Sequence, residues 1–528
     1  MAWPYKEVTF DLLGGYNAVH NPADILQVPR QPQLGTLDPG TPVRMAQAQD
    51  VWSPNLREDL ATRPGFSEVR GTTISASGRI TGMRDQAAIA TRFLLTVSIN
   101  GGTHSVYQDS ANPPAEITSG TNFTESLDNL TTLLNFTDGT NRGTIILSRQ
   151  RNTPQFINSS GVRSDFTIAG TGLTALKPAI GEIFGQRGLY ADVDFDGTVH
   201  KNRLYRTDIR DGNLITDPTT QFDSFERSDQ DDQIRGVKRI SDFCIVGGRD
   251  FLELMAINTV GSNPFRRQEV PGGVGKGPMS HQGMITAQQR VAWAAISGIF
   301  SLEGAQGEVL KEWTAPIKTY WTGLEQSRME FISAGYDQEN DIGCFAVTPS
   351  GGTSHTRVVA INFSRPNENY IWTLTRNAFA NRIVSGQQRL IGGGLGGKFY
   401  NEIRTSVFTG NADDAAGTID ADAFTPRHHC GLPGIRKLFA GIKVTFDQQG
   451  TSEAVTVQYR LNDESSWSSF AASPYTVAGT AGDFNQKFFP LMKAGTLLQI
   501  RFRDANSGQA FRVTKYSIMY KELEAGLV

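Results

Sequence analysis

Phe93-Leu94-Leu95-Thr96-Val97-Ser98-Ile99, followed at once by Asn100-Gly101-Gly102, is the stretch that decides the fold. A short run of strand-favouring residues halted by Asn-Gly and Gly-Gly predicts a β-strand entering a hairpin, because these pairs supply the positive φ that tight turns require. The same grammar recurs along the chain. Thr144-Ile145-Ile146-Leu147-Ser148 reads as a strand, and Phe243-Cys244-Ile245-Val246 reads as another before Gly247-Gly248. Arg290-Val291-Ala292-Trp293-Ala294-Ala295-Ile296 turns through Ser297-Gly298 into Ile299-Phe300-Ser301-Leu302-Glu303, and Arg357-Val358-Val359-Ala360-Ile361-Asn362-Phe363 continues the series. Helix-compatible windows such as Ser126 to Asn135 are short, so the class is all-β.

Antiparallel pairs recurring over three hundred residues must hide their edges, either in stacked sheets or as blades set radially in a propeller. No WD or kelch signature repeats, and strand count and spacing favour a β-propeller-like body over residues 71–410. A long β-solenoid would need shorter and more regular repeats. The final residues form a second unit. In Leu438 to Phe446, Ala454 to Leu461, Leu497 to Arg503 and Val513 to Tyr520, apolar residues alternate with Lys, Arg, Gln and Thr, as in strands of a small β-sandwich spanning 436–528. The Gly- and Ala-rich segment before it predicts a linker or loop over 411–435.

Residues 1–70 contain Pro22, Pro29, Pro32, Pro39, Pro42, Pro54 and Pro64. Each removes a backbone donor and restrains its predecessor, so the segment is expected to be an extended arm without helix or central strand, lying along a partner or along its own domain.

Composition narrows function. With 50 Lys and Arg against 53 Asp and Glu, the net charge of −3 offers no general basic surface for gripping a phosphate backbone. The N-terminus lacks a secretory pattern and no apolar run approaches 18 residues, so synthesis in the cytoplasm without membrane insertion is expected. Three widely spaced cysteines, Cys244, Cys344 and Cys430, imply no disulfide framework.

Three motifs invite chemistry. Gly392-Gly393-Gly394-Leu395-Gly396-Gly397-Lys398 has the spacing of a phosphate loop, but Phe399 stands where Ser or Thr would hold Mg²⁺ and no helix follows. An inter-strand turn accounts for it better. Asp192, Asp194, Asp196 and Gly197 match the opening of a calcium loop, yet Arg203 occupies the place of the bidentate Glu, so a strand and turn with solvent-facing Asp is expected. His428-His429-Cys430 are adjacent and cannot converge on one ion, and a loop is expected there. No nucleophile elbow or zinc-protease motif occurs, and the chain is read as a non-enzyme. No catalytic, cofactor-binding or metal-ligating residue is assigned.

Taken in order, several segments resemble the β-propeller neck and tail virion proteins of tailed bacteriophages, of the tail nozzle (tail tubular protein B) type. Leu60-Ala61-Thr62-Arg63-Pro64-Gly65-Phe66 is similar to the close of their N-terminal arms. Asn202-Arg203-Leu204-Tyr205, Asp231-Asp232-Gln233-Ile234-Arg235-Gly236 and Asp242 to Leu254 resemble their blade strands. After Pro271 to Gly277, the run from Val291-Ala292-Trp293 through Gly298 to Leu302 and on to Trp313 to Ile317 resembles their order of a new blade followed by a polar tether. The resemblance implies a virion tail protein working as a homo-oligomeric ring, beside neighbouring tail or neck proteins, with DNA passing through without specific binding. The Pro-rich arm would then clamp a neighbouring subunit at a sheet edge. The alternative is a host-glycan-binding or glycan-cleaving adhesin with the C-terminal sandwich as its module.

Overall fold

The apolar runs carry hydrophobic side chains on both faces, and both faces are covered. In the strand Phe243–Gly248, Cys244 and Val246 join a core with Phe184, Leu189 and Leu204, while Ile245 joins another with Val291, Trp293 and Phe300. Successive side chains of a strand point to opposite faces, so such a strand must lie between two other sheets. Repeated around a ring, this demand gives a propeller.

In the computed structural model the described residues are 6–16, 43–45, 47–49, 51–52, 60–62 and 66–68, and from 72 onward all except 87–91, 100–101, 138–141, 171–173, 226–232, 259–262, 304–308, 365–368, 385, 403–419, 431–433, 448–452, 478–483, 505–510 and 524–528. They form an all-β chain with seven blades. The inner strands of blades 1 to 7 are Arg79–Asp85, Thr132–Thr137, Lys177–Phe184, Gly236–Ile240, Met284–Ala287, Ala334–Asp337 and Ala378–Val384. These strands adjoin in chain order, and the last lies beside the first. Blade 7 takes its outer strand, Phe66–Glu68, from the N-terminal arm, paired with Phe399–Glu402. At the same seam Gly396 N–H donates to the Gly78 carbonyl at 2.7 Å and Arg382 pairs with Asp109 at 2.6 Å. Sharing the last blade between both ends of the propeller closes the ring without a free inner edge.

The second unit is a sandwich built by both ends of the chain. One sheet runs Val43–Met45, Lys6–Tyr16, Arg512–Glu522, Lys437–Asp447, Phe484–Gly495. The other runs Gln47–Gln49, Ala421–Phe424, Leu498–Asp504, Glu453–Leu461, with Ser468–Ser469 and Tyr475–Val477 at its edge. Val457, Ile500, Phe502, Tyr516, Ile518 and Phe489 meet between them. A β-bulge between Phe439 and Gly441 shifts the register of Lys437–Asp447, so Phe439 and then Ile442, Val444 and Phe446 all face this core despite the change of parity. Gln47–Gln49 also pairs with Asn369–Trp372, the outer strand of blade 6, and one ten-stranded sheet therefore runs from propeller to sandwich.

Four sequence expectations need correction. The arm does hold a central strand, Lys6–Tyr16, hydrogen-bonded on both sides; no proline falls between Pro4 and Pro22, so the ladder meets no missing donor there. The expected 411–435 linker contains the strand Ala421–Phe424, secured by Arg501 on Asp422 at 2.5 and 2.7 Å; residues 411–419 lie outside the described residues. Gly247 and Gly248 lie within a strand, and the two-residue turn is Arg249-Asp250. They are glycines because neighbouring segments pass close: a Cβ on Gly247 would stand 2.6 Å from Pro278 and one on Gly248 2.2 Å from the Gln233 carbonyl oxygen, while a Cβ on the facing Gly277 would stand 1.7 Å from the Gly248 carbonyl oxygen. The window Ser126 to Asn135 ends in the inner strand of blade 2, with Leu133 and Leu134 drawn into inter-blade cores. Among the described residues helix occurs instead as three short pieces, Ala315–Ile317, Lys318–Thr322 and Gln326–Phe331, between blades 5 and 6.

Candidate functional site

Side chains that point inward from seven inner strands converge on the propeller axis, where they enclose a cavity of about 700 Å³. Its wall includes Arg84 and Asp85 of blade 1, Glu182 of blade 3, Lys238 and Arg239 of blade 4 and Arg382 of blade 7, with Tyr336 and Phe379 as aromatic cover. Most of the cations already have work. Arg382 holds Asp109, Arg239 Nε donates to the Ser241 carbonyl at 3.3 Å, and Lys238 stands 3.9 Å from Glu182. The Ile383 amide donates to Asp85 at 2.9 Å. Arg84 keeps exposed surface in the cavity although many protein atoms surround it, and desolvation lowers its pKa from the ordinary arginine value, with Glu182 and Asp85 opposing.

The end of the axis where the inner strands begin is crossed by a plug. Gln326–Phe331 belongs to the passage from blade 5 to blade 6, yet it touches blades on the far side of the ring. Arg149 of blade 2 donates to the Glu330 carboxylate at 2.5 Å and to its carbonyl at 2.9 Å, and Arg235 of blade 4 lies 4.0 Å from the same carboxylate. Arg328 donates to Asp128 at 2.8 Å, and Arg79 of blade 1 pairs with the other oxygen of Asp128. The Phe331 ring has Arg149 and Arg328 over it at 5.0 and 4.5 Å, within cation–π range. His355 Nε2 donates to the Phe331 carbonyl at 2.9 Å, while its Nδ1 accepts from Thr348 at 2.8 Å. Burial lowers its pKa to about 4, so it holds the plug as a neutral imidazole. Behind the plug, Trp321 is buried and donates to the Ala295 carbonyl at 3.2 Å. Pro316 at the start of the helical passage was the one sequence signal for it, since proline suits the first helical turn.

The motifs singled out in the sequence sit away from this axis arrangement or serve it structurally. In the glycine run 392–398, Gly392 and Gly393 end the strand Gln387–Gly393, and 394–398 make the inter-strand turn of blade 7. Gly394 N–H donates to the Lys398 carbonyl and Gly396 N–H to that of Gly78, so these amides do not converge on a phosphate. In the acidic run, Asp196 and Gly197 form a two-residue turn between Phe195 and Thr198, both with positive φ (53° and 73°), as a type I′ hairpin requires. Asp192 is not solvent-facing: it is buried and paired with Arg151 at 2.6 Å. His428 is buried in the sandwich, its Nε2 2.7 Å from the Tyr516 hydroxyl, and burial lowers its pKa to about 3. Cys244, Cys344 and Cys430 are buried and not disulfide-bonded. Among the described residues no group of three or more His, Cys, Asp or Glu is placed to hold a metal ion, and no helix is long and apolar enough to cross a membrane. What the axis can do chemically is bind: it offers four cations, two carboxylates and aromatic cover around one cavity.

No family model matches the chain, and no curated protein matches it in sequence. Solved structures do resemble it. Virginiamycin B lyase from Staphylococcus aureus covers 64% of this chain with 99% of its own, at 10% identity and a TM-score of 0.39. The WD40 β-propeller domain of Doa1 covers 65% with 98% of its own, at 8% identity and a TM-score of 0.38. The N-terminal domain of Nup159 covers 67% with 98% of its own, at 10% identity and a TM-score of 0.38. That this chain is an all-β protein with a propeller body rests on its own seven blades.

Proposed function

We propose that this chain is a structural component of a phage tail or neck, one subunit of a ring through which DNA leaves the particle, with no catalytic turnover. The observation that carries this reading is the ten-stranded sheet shared by propeller and sandwich. Domains joined only by a linker move relative to one another by default. Here displacement would break main-chain hydrogen bonds of a continuous sheet, which suits a wall that must keep its shape under load. The pairing of both chain ends within one sandwich sheet serves the same purpose.

The conduit in this reading is the opening of the ring, not the axis of the propeller. That axis is crossed by the 326–331 plug, and its cavity has the volume of a small-molecule site. A net charge of −3 agrees with a wall past which a polyanion slides, since every phosphate neutralised by Lys or Arg would add affinity and drag. Light scattering on the purified chain, alone and mixed with neighbouring tail proteins, tests the proposal. A discrete high-order oligomer is expected in at least one condition; a monomer in all of them would defeat it.

A further inference from the structure

We propose that the axial cavity is a binding site for a small organic anion, a carboxylate or phosphate on a sugar-sized body, with the Arg84 guanidinium as its anchor. Arg84 projects from the inner strand of blade 1 into a space of about 700 Å³, within the range of about 300–1,000 Å³ typical of small-ligand sites. It makes no hydrogen bond and no ion pair within 4 Å to any described residue. The neighbouring carboxylates do not satisfy it. Asp85 accepts the Ile383 amide, and Glu182 accepts its neighbour's amide at 3.0 Å while Lys238 stands at 3.9 Å. With Arg239 also on the wall, cations outnumber carboxylates around this part of the cavity.

A guanidinium presents parallel N–H donors that match two oxygens of one carboxylate or phosphate, a fork that a single ammonium cannot offer. Lys238 is placed to add a second charge, having only a long contact to Glu182 to give up. Tyr336 and Phe379 supply apolar cover for the body of the ligand. The plug closes one end of the axis, so such a ligand enters from the end where the inner strands finish. This inference stands on the cavity alone and does not depend on the chain's place in a virion.

Isothermal titration of the full chain with inorganic phosphate, with D-glucuronate and with neutral D-glucose tests it. Saturable binding of one anion per chain is expected, weakening with added salt, with no response to glucose. Arg84→Gln should lower anion affinity about 10- to 100-fold, and Lys201→Gln, at an exposed residue outside the cavity, should leave it unchanged. A second measurement needs no variant: phenylglyoxal modification followed by peptide mass spectrometry. Phosphate should slow modification of Arg84 while leaving the exposed Arg210 unaffected. Absence of saturable binding by both anions, equal affinity in Arg84→Gln, or an Arg84 modification rate indifferent to phosphate would each overturn the proposal.

Discussion

Deleting residues 1–16 separates two uses of the N-terminal arm. In the structure Lys6 to Asp11 pair antiparallel with Tyr520 to Lys515 of the same chain, and Lys6 Nζ reaches the Glu522 carboxylate at the end of the ladder. An antiparallel register of six residue pairs carries about six main-chain hydrogen bonds. At a net of about 0.5–1.5 kcal/mol each, the ladder is worth about 3–9 kcal/mol to the sandwich. Deletion also leaves Lys515 to Tyr520 with an open edge, available for foreign pairing. Hydrogen exchange read peptide by peptide is the right assay, because local opening reports each element separately. The truncated chain should lose protection across Arg512–Glu522 and Lys437–Asp447 by an amount in that range, while inner blade strands such as Lys177–Phe184 keep theirs. Unchanged protection in the sandwich, together with loss of oligomer, would refute pairing within the chain and return the arm to a neighbouring subunit.

Three further outcomes follow from named contacts. His104, His281, His355 and His428 are buried, and their pKa values fall to about 4, 3, 4 and 3 from an ordinary 6.5. A group whose folded pKa lies below its unfolded value supports the fold fully only above the unfolded value. Stability should therefore be flat above pH 7 and fall between about 6.5 and 4 by about 1.4 kcal/mol per pH unit for each histidine; denaturant midpoints across that range, compared with His281→Gln, check the slope. Gly277→Ala places a methyl group against the Gly248 backbone with no flexible side chain to yield, so a loss of at least about 1–3 kcal/mol is expected, and a wild-type urea midpoint would contradict it. Because Asp192 is committed to Arg151 and Asp196 to a hairpin turn, calcium and chelator should leave the melting temperature unchanged; a rise with calcium would reopen that site.

The blades were legible because the sequence writes them as uninterrupted apolar runs, and a run such as Val291 to Ala295 must be covered on both faces. Glycine was the ambiguous letter. Asp196-Gly197 marks a turn and Gly247-Gly248 a close approach of backbones, and only the partner segment around Gly277 distinguishes them. Proline density misled by averaging, since it describes residues 22–64 and hides the proline-free strand 6–16. Ala421–Phe424 read as linker because a four-residue strand rich in alanine has little propensity of its own and is held by Arg501 and Leu498–Asp504, some eighty residues away. The axial site was not legible at all. Arg84, Glu182, Lys238 and Arg382 come from four blades spread over three hundred residues, so no spacing rule joins them, and only ring closure brings them together.

The claim that this chain is a brick in a ring-shaped conduit is tested most directly by electron microscopy of the assembled particle with a label on this chain. The account predicts rotationally repeated density for the chain around a central opening on the tail axis, with each propeller's own axis lying outside that opening. Label at a single peripheral position, or absence of the chain from the particle, would contradict it.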